Sequence, residues 1–291
     1  MNPYLMVLLA DALLAASFVS QKKYQNLAGA LMKAGLWYNL LLGMVSVAYY
    51  LLVSRLSVHL TVYSVVMAAL FTSFVLAYSI VGFKIMETGN MSLHTLFLMV
   101  GGMVVPYIYG VMFLDEALSP TRIVGVLAIV IAIAVIHVGG KKPDVRQLLL
   151  CVAVFFLNGF VSVISKIHQI SPASQVVTSS DFALITAFFK FFFSAIVLLV
   201  FKQKLHSQCV TVVTIKKALP LIVVAAVAVS ISSVLQLSGA TVLDASVLYP
   251  LITGGTIVVT TITDVLVFKT KMALRQWLAV AICFVGTLLF L

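Results

Sequence analysis

The chain contains ten long apolar stretches separated by short polar gaps, and this pattern restricts the fold more than any other feature of the sequence. A helix needs about 20 apolar residues to cross the hydrocarbon core of a bilayer. Lipid offers no partner for backbone N–H and C=O groups, so each stretch must be helical. The sequence therefore predicts an all-α integral membrane protein with ten transmembrane helices, at approximately 3–21, 34–53, 61–83, 92–114, 120–138, 147–166, 181–201, 218–238, 245–267 and 273–291.

Composition supports lipid as the solvent and excludes other classes of protein. Hydrophobic residues make up 63% of the 291 residues and charged residues only 9%, whereas soluble domains carry about 25% charged residues. The net charge of +10 does not indicate nucleic-acid binding, because the basic residues occupy short gaps between apolar stretches. Cys151, Cys209 and Cys283 have no metal-site or disulfide spacing. We therefore expect a bilayer as partner, and no nucleic acid, metal or other cofactor.

The positions of the basic residues orient the helices. When the connections are numbered in order, the even ones hold only Arg55, Arg122 and Lys166. Because Lys and Arg are enriched in cytoplasmic loops, the odd connections are predicted to be cytoplasmic and both termini to lie outside. The protein is placed in the cytoplasmic (inner) membrane of a bacterial-style cell. The odd connections hold Lys22, Lys23, Lys33, Lys84, Lys141, Lys142, Arg146, Lys202, Lys204, Lys216, Lys217, Lys269, Lys271 and Arg275.

The two halves of the chain, 1–140 and 141–291, resemble each other. The first and sixth helices align at a slightly different offset from the rest, with Lys22 against Lys166. Since each half has an odd number of helices, the second copy must cross the membrane in the opposite direction. The sequence thus predicts two inverted five-helix repeats, an architecture that recurs in secondary transporters. The remaining matches, at a shift of 154 residues, are Ser92 with Ser246, Gly101 with Gly255, Glu116 with Thr270, and Gly125 with Ala279.

The end of each half carries a family resemblance. Residues 113–134, with Glu116 followed by Gly125, and residues 268–291, with Ala279 followed by Gly286, resemble the ends of EamA-type repeats. The whole chain resembles the ten-helix branch of the drug/metabolite transporter superfamily. The resemblance implies transport of small metabolites such as amino acids or related compounds. Two positions depart from the pattern: Ala132 stands in place of the second glycine, and Thr270 in place of the glutamate.

The first helix also resembles the small multidrug resistance branch, through its opening Met1–Tyr4 and its terminal Lys22. That branch carries an essential carboxylate in this helix. The matching position here is Leu14, and Asp11 lies one turn earlier. Proton coupling is therefore not carried over by position, and whether protons are partners stays open.

Asp11 and Lys190 are the two ionisable residues predicted to lie well inside helices, where a charge costs about 2.5–3.5 kcal/mol. At about 1.5 Å per residue, each lies about 12–13 Å from the start of its helix, so the two are expected at similar depth. One hypothesis is that they line a central cavity and bind substrate or a proton. The alternatives are a structural ion pair, or a lysine that snorkels past neighbouring phenylalanines.

Uncharged polar residues form a second candidate group on four helices. They sit at helical i, i+4 spacing or beside Pro106 and Pro250, and each proline frees a carbonyl one turn earlier. As a group they suggest a wet centre, although any one of them could instead be an interhelical hydrogen bond worth about 0.6 kcal/mol. The group comprises Asn158, Ser162, Ser232, Gln236, Tyr107, Tyr249 and Thr253.

No enzyme or ATP-hydrolysis signature is present, and the five histidines are expected to be solvated or interfacial near helix ends. The sequence therefore favours a secondary transporter, most simply an exporter of a small metabolite, that works by alternating access and is not an enzyme. Two alternatives stay open: a flippase or carrier for a lipid-linked sugar, and a membrane protein that transports nothing.

Overall fold

A computed structural model describes residues 2–29, 32–87, 91–137, 144–172, 174–201, 212–269 and 272–291. Throughout these ranges the regular structure is helical, without a strand. The helices are α1 (Pro3–Ala28), α2 (Met32–Val53), α3 (Val62–Glu87), α4 (Met91–Phe113), α5 (Pro120–His137), α6 (Val145–Ile170), α7 (Ser179–Val200), α8 (Val212–Ala240), α9 (Ala245–Phe268) and α10 (Leu274–Leu288).

The predicted all-helical membrane architecture is confirmed at this level. Within the described residues, eight helices are long and apolar enough to cross a membrane, and the apolar parts of α5 and α10 are shorter. Large apolar side chains such as Leu52, Leu127, Leu199 and Leu266 are more than half exposed on the outside of the bundle. Lipid is the solvent that would cover such side chains, since soluble proteins rarely expose extended apolar surfaces.

Helices that are distant in sequence pack against each other. Helix α1 packs against α8 and α9, and α6 packs against α3 and α4. Helix α2 faces α7, and α5 faces α10. The largest buried apolar cluster joins α4, α5, α9 and α10, with Met103, Ile129, Leu248 and Cys283 among its members.

Glycines allow several of these helix pairs to approach closely. A Cβ on Gly43 of α2 would lie 2.8 Å from the backbone nitrogen of Phe191 in α7. Between α5 and α10, a Cβ on Gly125 would lie 2.9 Å from the carbonyl oxygen of Gly286. Backbone atoms cannot move aside as a flexible side chain does, so these contacts require residues without a side chain.

Contrary to the sequence prediction, Lys166 does not lie in a connection between helices. The sequence assigns it to a connection, but α6 continues to Ile170 and the lysine side chain is buried. Its ammonium donates hydrogen bonds to the carbonyl oxygens of Ala240 and Leu243, at 2.8 and 2.6 Å. Lys166 thus binds the C-terminal end of α8, and it is not a solvated loop residue. The predicted loop lysines 141, 142, 202, 204 and 271 lie outside the described residues.

Candidate functional site

A cavity of about 330 Å³ lies inside the bundle, between helices of both halves. It is lined by residues of α1, α2, α3, α6, α7, α8 and α9. Its volume falls within the range of about 300–1,000 Å³ that is typical of small-molecule sites. The part of α7 that reaches it extends from Phe182 near the helix start to Lys190 near the helix middle.

The lining combines aromatic walls with a few polar groups. Aromatic side chains come from four helices, and hydroxyl groups from serines and threonines lie between them. Lys190 is the one charged side chain among the described residues that line the cavity. The aromatic members of the lining are Tyr50, Phe71, Tyr78, Phe182 and Tyr249.

Lys190 lies in the wall between this cavity and a much smaller one beside it, and it lines both. No carboxylate of the described residues lies within 4 Å of its ammonium. The neighbouring Phe188 and Phe192 are exposed on the outside of α7, whereas Lys190 is directed inward. The position therefore agrees with a cavity-lining residue and differs from the predicted alternative of a lysine that snorkels to the membrane surface.

Asp11 does not join Lys190. Its side chain is fully buried where α1 packs on α9, and the Thr256 hydroxyl donates a hydrogen bond to Oδ1 at 3.1 Å. Its Oδ2 has no hydrogen-bond partner and lies against Gly255. The two charges do not form the ion pair that equal depth suggested. Depth along a helix does not fix the direction of a side chain around it, which explains the difference.

The nine predicted site residues, charged and uncharged, divide into two sets. Ser162, Gln236 and Tyr249 line the cavity together with Lys190. The other five predicted residues, Asp11, Asn158, Ser232, Tyr107 and Thr253, are not part of its lining.

Asn158 and Ser162 join α6 to α4. The Asn158 amide donates to the carbonyl oxygen of Leu98 at 2.7 Å, and the Ser162 hydroxyl donates to that of Gly102 at 3.1 Å. Gly102 is the residue whose carbonyl Pro106 leaves without its helical N–H donor. The proline thus frees a carbonyl as the sequence predicts, and a neighbouring helix satisfies it.

Three more members of the predicted group hydrogen-bond to other groups of the protein. The Ser232 hydroxyl donates to the carbonyl oxygen of Ala10 at 2.8 Å, which joins α8 to α1. The Gln236 amide donates in turn to the Ser232 oxygen at 3.1 Å. The Tyr249 hydroxyl donates to the carbonyl oxygen of Ser162. The Tyr107 hydroxyl is buried without a partner, outside the cavity.

Two residues that the sequence did not single out are part of the site. Ser46 of α2 and Ser230 of α8 line the cavity, and their hydroxyl oxygens are buried without a hydrogen-bond partner in the described part of the chain. The Tyr50 hydroxyl, one turn after Ser46, donates to the carbonyl oxygen of Ser230 at 2.9 Å, which brings α2 and α8 together. The one sequence signal for this face was the polar pair Ser46 and Tyr50 at i, i+4 spacing.

His168 also differs from the expectation that the histidines are solvated or interfacial. Its side chain is fully buried, and it shares a hydrogen bond of 2.8 Å with the hydroxyl of Ser64 in α3. The backbone N–H of Val177 donates to the same hydroxyl at 3.1 Å. The imidazole stacks on Phe182, with 3.8 Å between ring centroids, and Phe182 lines the cavity. Residues of α3, α6 and α7 thus close the cavity beside Phe182.

Comparisons with known proteins define the fold and leave the activity open. No protein-family model matches the chain, and no curated protein matches its sequence. A solved structure described as "Crystal structure of protein" superposes with a TM-score of 0.76 and 15% sequence identity, over 99% of this chain and 98% of that chain. At this identity the likeness concerns the fold alone.

The class that fold and site define is an all-helical, multi-pass membrane protein with an internal cavity. Within the described ranges, no group of three or more His, Cys, Asp or Glu residues could hold a metal ion.

Proposed function

We propose that the protein is a secondary transporter, an exporter of a small metabolite, which works without enzymatic activity or a cofactor. The observation that carries this proposal is the cavity inside an apolar bundle, which has a volume of about 330 Å³ and polar groups in its wall. Lys190 in the wall of this cavity also supports the proposal, because a charge inside an apolar bundle is unfavourable and Lys190, unlike Lys166, bonds no carbonyl group among the described residues.

The packing of the helices supports two related halves, 1–140 and 141–291. The pairs α1–α8 and α1–α9 have the counterparts α6–α3 and α6–α4 when each helix number is shifted by five. The relation extends to residues: Gly101 packs on Phe155, and Gly255 packs on Asp11. The offset that aligns Lys22 with Lys166 also aligns Asp11 with Phe155. We infer two inverted repeats of the drug/metabolite transporter type. Thr270, which aligns with Glu116 in the sequence, lies outside the described residues.

Alternating access would open the cavity first to one side of the membrane and then to the other, through rocking of the two halves. In the described conformation, the contacts around His168 and Phe182 close it at the end where α7 begins. We assign any proton coupling to Asp11, because it is a fully buried acid about two turns into α1.

The test uses the purified protein in vesicles loaded with a mixture of amino acids, organic acids and amines, with released compounds measured by mass spectrometry. Ser233→Phe fills the cavity from α8, and Val224→Phe adds the same side chain to α8 at a position that is 56% exposed to lipid. We expect wild type and Val224→Phe to release one class of compound and Ser233→Phe to retain it. Equal retention by wild-type and protein-free vesicles would contradict the proposal.

A lipid-linked sugar added to the same vesicles separates a carrier of water-soluble compounds from a flippase. We expect no translocation of the lipid-linked compound, because the described lining includes only one ionic group and its residue Phe182 is buried together with His168. Translocation of that compound, with all soluble compounds retained, would favour the flippase.

A further inference from the structure

We propose, on the basis of the proposed transport function, that the cavity binds an organic monoanion, a carboxylate on an apolar or aromatic body, with its charge on Lys190.

The charge of Lys190 favours an anionic substrate. Lys190 has no carboxylate partner among the described residues, and the lining described above includes neither Asp nor Glu. Asp11, the other ionisable residue expected inside the bundle, is held in the α1–α9 contact by Thr256 and Gly255. A buried charge is unfavourable unless it is paired. The counter-ion that the described residues do not supply is therefore assigned to the substrate.

Unused hydroxyl donors in the cavity wall also favour a carboxylate, independently of the charge of Lys190. Ser46 and Ser230 are 3% and 1% exposed and line the same cavity, and neither hydroxyl has a hydrogen-bond partner among the described residues. Leaving a buried polar group unpaired costs about 1–3 kcal/mol, so such groups in a native protein require an explanation. A carboxylate has two oxygens that accept several hydrogen bonds, and it can accept from hydroxyls as well as from an ammonium.

The local backbone brings these donors towards the lysine. Gly43 lies against the Ala187–Phe191 turn of α7, and a Cβ there would be 3.0 Å from the carbonyl oxygen of Ala187. The two helices run in opposite directions, since Tyr50 at the next turn clusters with Phe182 and Ala183, so Ser46 lies about one turn of α7 before Lys190 on the same cavity wall. The substrate carboxylate is thus expected between α2 and α7.

The walls define the rest of the substrate. Phe71, Phe182, Leu14 and Ile252 contribute apolar or aromatic surface to the lining. No acid in the described lining faces the space opposite Lys190, so a substrate ammonium group would be removed from water without a counter-charge. The cavity therefore favours a monoanion over a zwitterion, which departs from the amino acids that the family resemblance implies.

The experiment compares three probes with the same aromatic body and different charges: 3-phenylpropionate, phenylalanine and phenethylamine. The purified full-length protein in detergent is titrated with each probe, and thermal unfolding reports binding, because a ligand of the folded state raises the midpoint temperature. We expect stabilisation by 3-phenylpropionate and an apparent affinity for the other two at least about tenfold weaker, because phenethylamine lacks the carboxylate and the ammonium group of phenylalanine would be buried without a counter-charge.

Variants connect the result to Lys190. Lys190→Met should weaken binding of 3-phenylpropionate by at least about tenfold, and Lys190→Arg, which keeps the charge, should retain most of it. Lys217→Met, at an exposed position of α8 outside the cavity lining, is the matched control and should bind as wild type. Equal binding of the three probes, binding unaffected by Lys190→Met, or no stabilisation by 3-phenylpropionate would each overturn the inference.

The vesicle assay separates this inference from transport itself. Release of amino acids or amines, with organic acids retained, would overturn the monoanion and leave the transporter standing. Release of organic acids by wild type, with their retention by Lys190→Met, would support both. Retention of every compound by the wild-type protein would contradict both.

Discussion

Asp11 occupies its position because the residue facing it on α9 is Gly255. A Cβ at that position would meet the Oδ2 atom of Asp11, whose side chain is fully buried. The carboxylate has little room to move, since Oδ1 is held by the Thr256 hydroxyl at 3.1 Å. A single glycine thus fixes where the one acid buried in the α1–α9 contact lies.

We expect Gly255→Ala to destabilise the protein by about 1–3 kcal/mol, because the new methyl group would overpack a confined contact. The matched control is Gly239→Ala, where the Cβ would lie 3.3 Å from Leu248 and 3.4 Å from Val7. That position should accept alanine with a change below about 1 kcal/mol. Thermal unfolding in detergent measures both variants.

A second variant tests whether the cost of Gly255→Ala depends on the carboxylate of Asp11. Asp11→Ala removes the group that the new methyl would meet, so Gly255→Ala should cost less in that background than in wild type. Equal costs in the two backgrounds would show that Asp11 does not confine Gly255.

At the residue scale, the sequence predicted the kinds of side chain in the site better than their partners. Lys190, Ser162, Gln236 and Tyr249 line the cavity as members of the predicted groups. Asn158 and Ser232 instead bond carbonyl groups of neighbouring helices. Spacing along a helix shows which residues share a face. Tertiary packing decides which other helix that face contacts. The unpartnered serines at the cavity were missed for the same reason, because the i, i+4 pair Ser46 and Tyr50 does not show which helix it faces.

At the element scale, Glu116 determines how α9 begins. Its two carboxylate oxygens accept hydrogen bonds from the backbone N–H groups of Ala245 and Ser246, at 2.6 and 2.7 Å. The first N–H groups of a helix have no partner within it and attract negative charge. Asp244, which directly precedes α9, makes no side-chain capping bond and pairs instead with Arg122. A glutamate of the α4–α5 connection therefore caps a helix in the other half.

We expect Glu116→Ala to destabilise the protein by about 2–3 kcal/mol, because it removes two hydrogen bonds to a charged acceptor. Glu116→Gln keeps one acceptor oxygen and should cost about 1–2 kcal/mol. Asp115→Asn is the control, since it removes the adjacent exposed carboxylate at a left-handed position that asparagine tolerates. Thermal unfolding measures the series, and an effect of Asp115→Asn as large as that of Glu116→Ala would contradict the capping role.

Helix positions were predictable, since apolar length alone defines a span, but helix ends were less so. The first apolar stretch ends near residue 21, whereas α1 continues to Ala28. The added turns carry Lys22, which pairs with Asp264 at 3.1 Å and lies over the ring of Phe268. A charged residue ends an apolar stretch in the sequence without ending the helix. The pairing of Lys22 with Asp264 of α9 cannot be inferred from the residues around Lys22 in the sequence.

At the scale of the whole molecule, the predicted orientation of the helices across the membrane depends on the basic residues of the odd connections. We expect a cysteine at position 84, near the end of α3, to react with an impermeant maleimide only after the cells are permeabilised. A cysteine at position 57, between α2 and α3, should react in intact cells. Both positions are exposed. The labelling is done in a variant without Cys151, Cys209 and Cys283, so that only the added thiol reacts.

The reverse pattern would place both termini in the cytoplasm and exchange the two sides of the membrane. The cavity would keep its lining, but the closure beside Phe182 would then face the cytoplasm, and the assignment of export would have to be reconsidered.

Helices α5 and α10, which pack against each other through Gly125 and Gly286, have 18 and 15 residues. At about 1.5 Å per residue the shorter one measures about 22 Å, less than the roughly 30 Å of a typical hydrocarbon core. Lipid beside this pair must compress to match it. Since a thinner bilayer matches these helices better, we expect transport in vesicles to be faster with lipids of short acyl chains than with lipids of long ones. An equal rate across chain lengths would show that the lipid around this helix pair is not deformed.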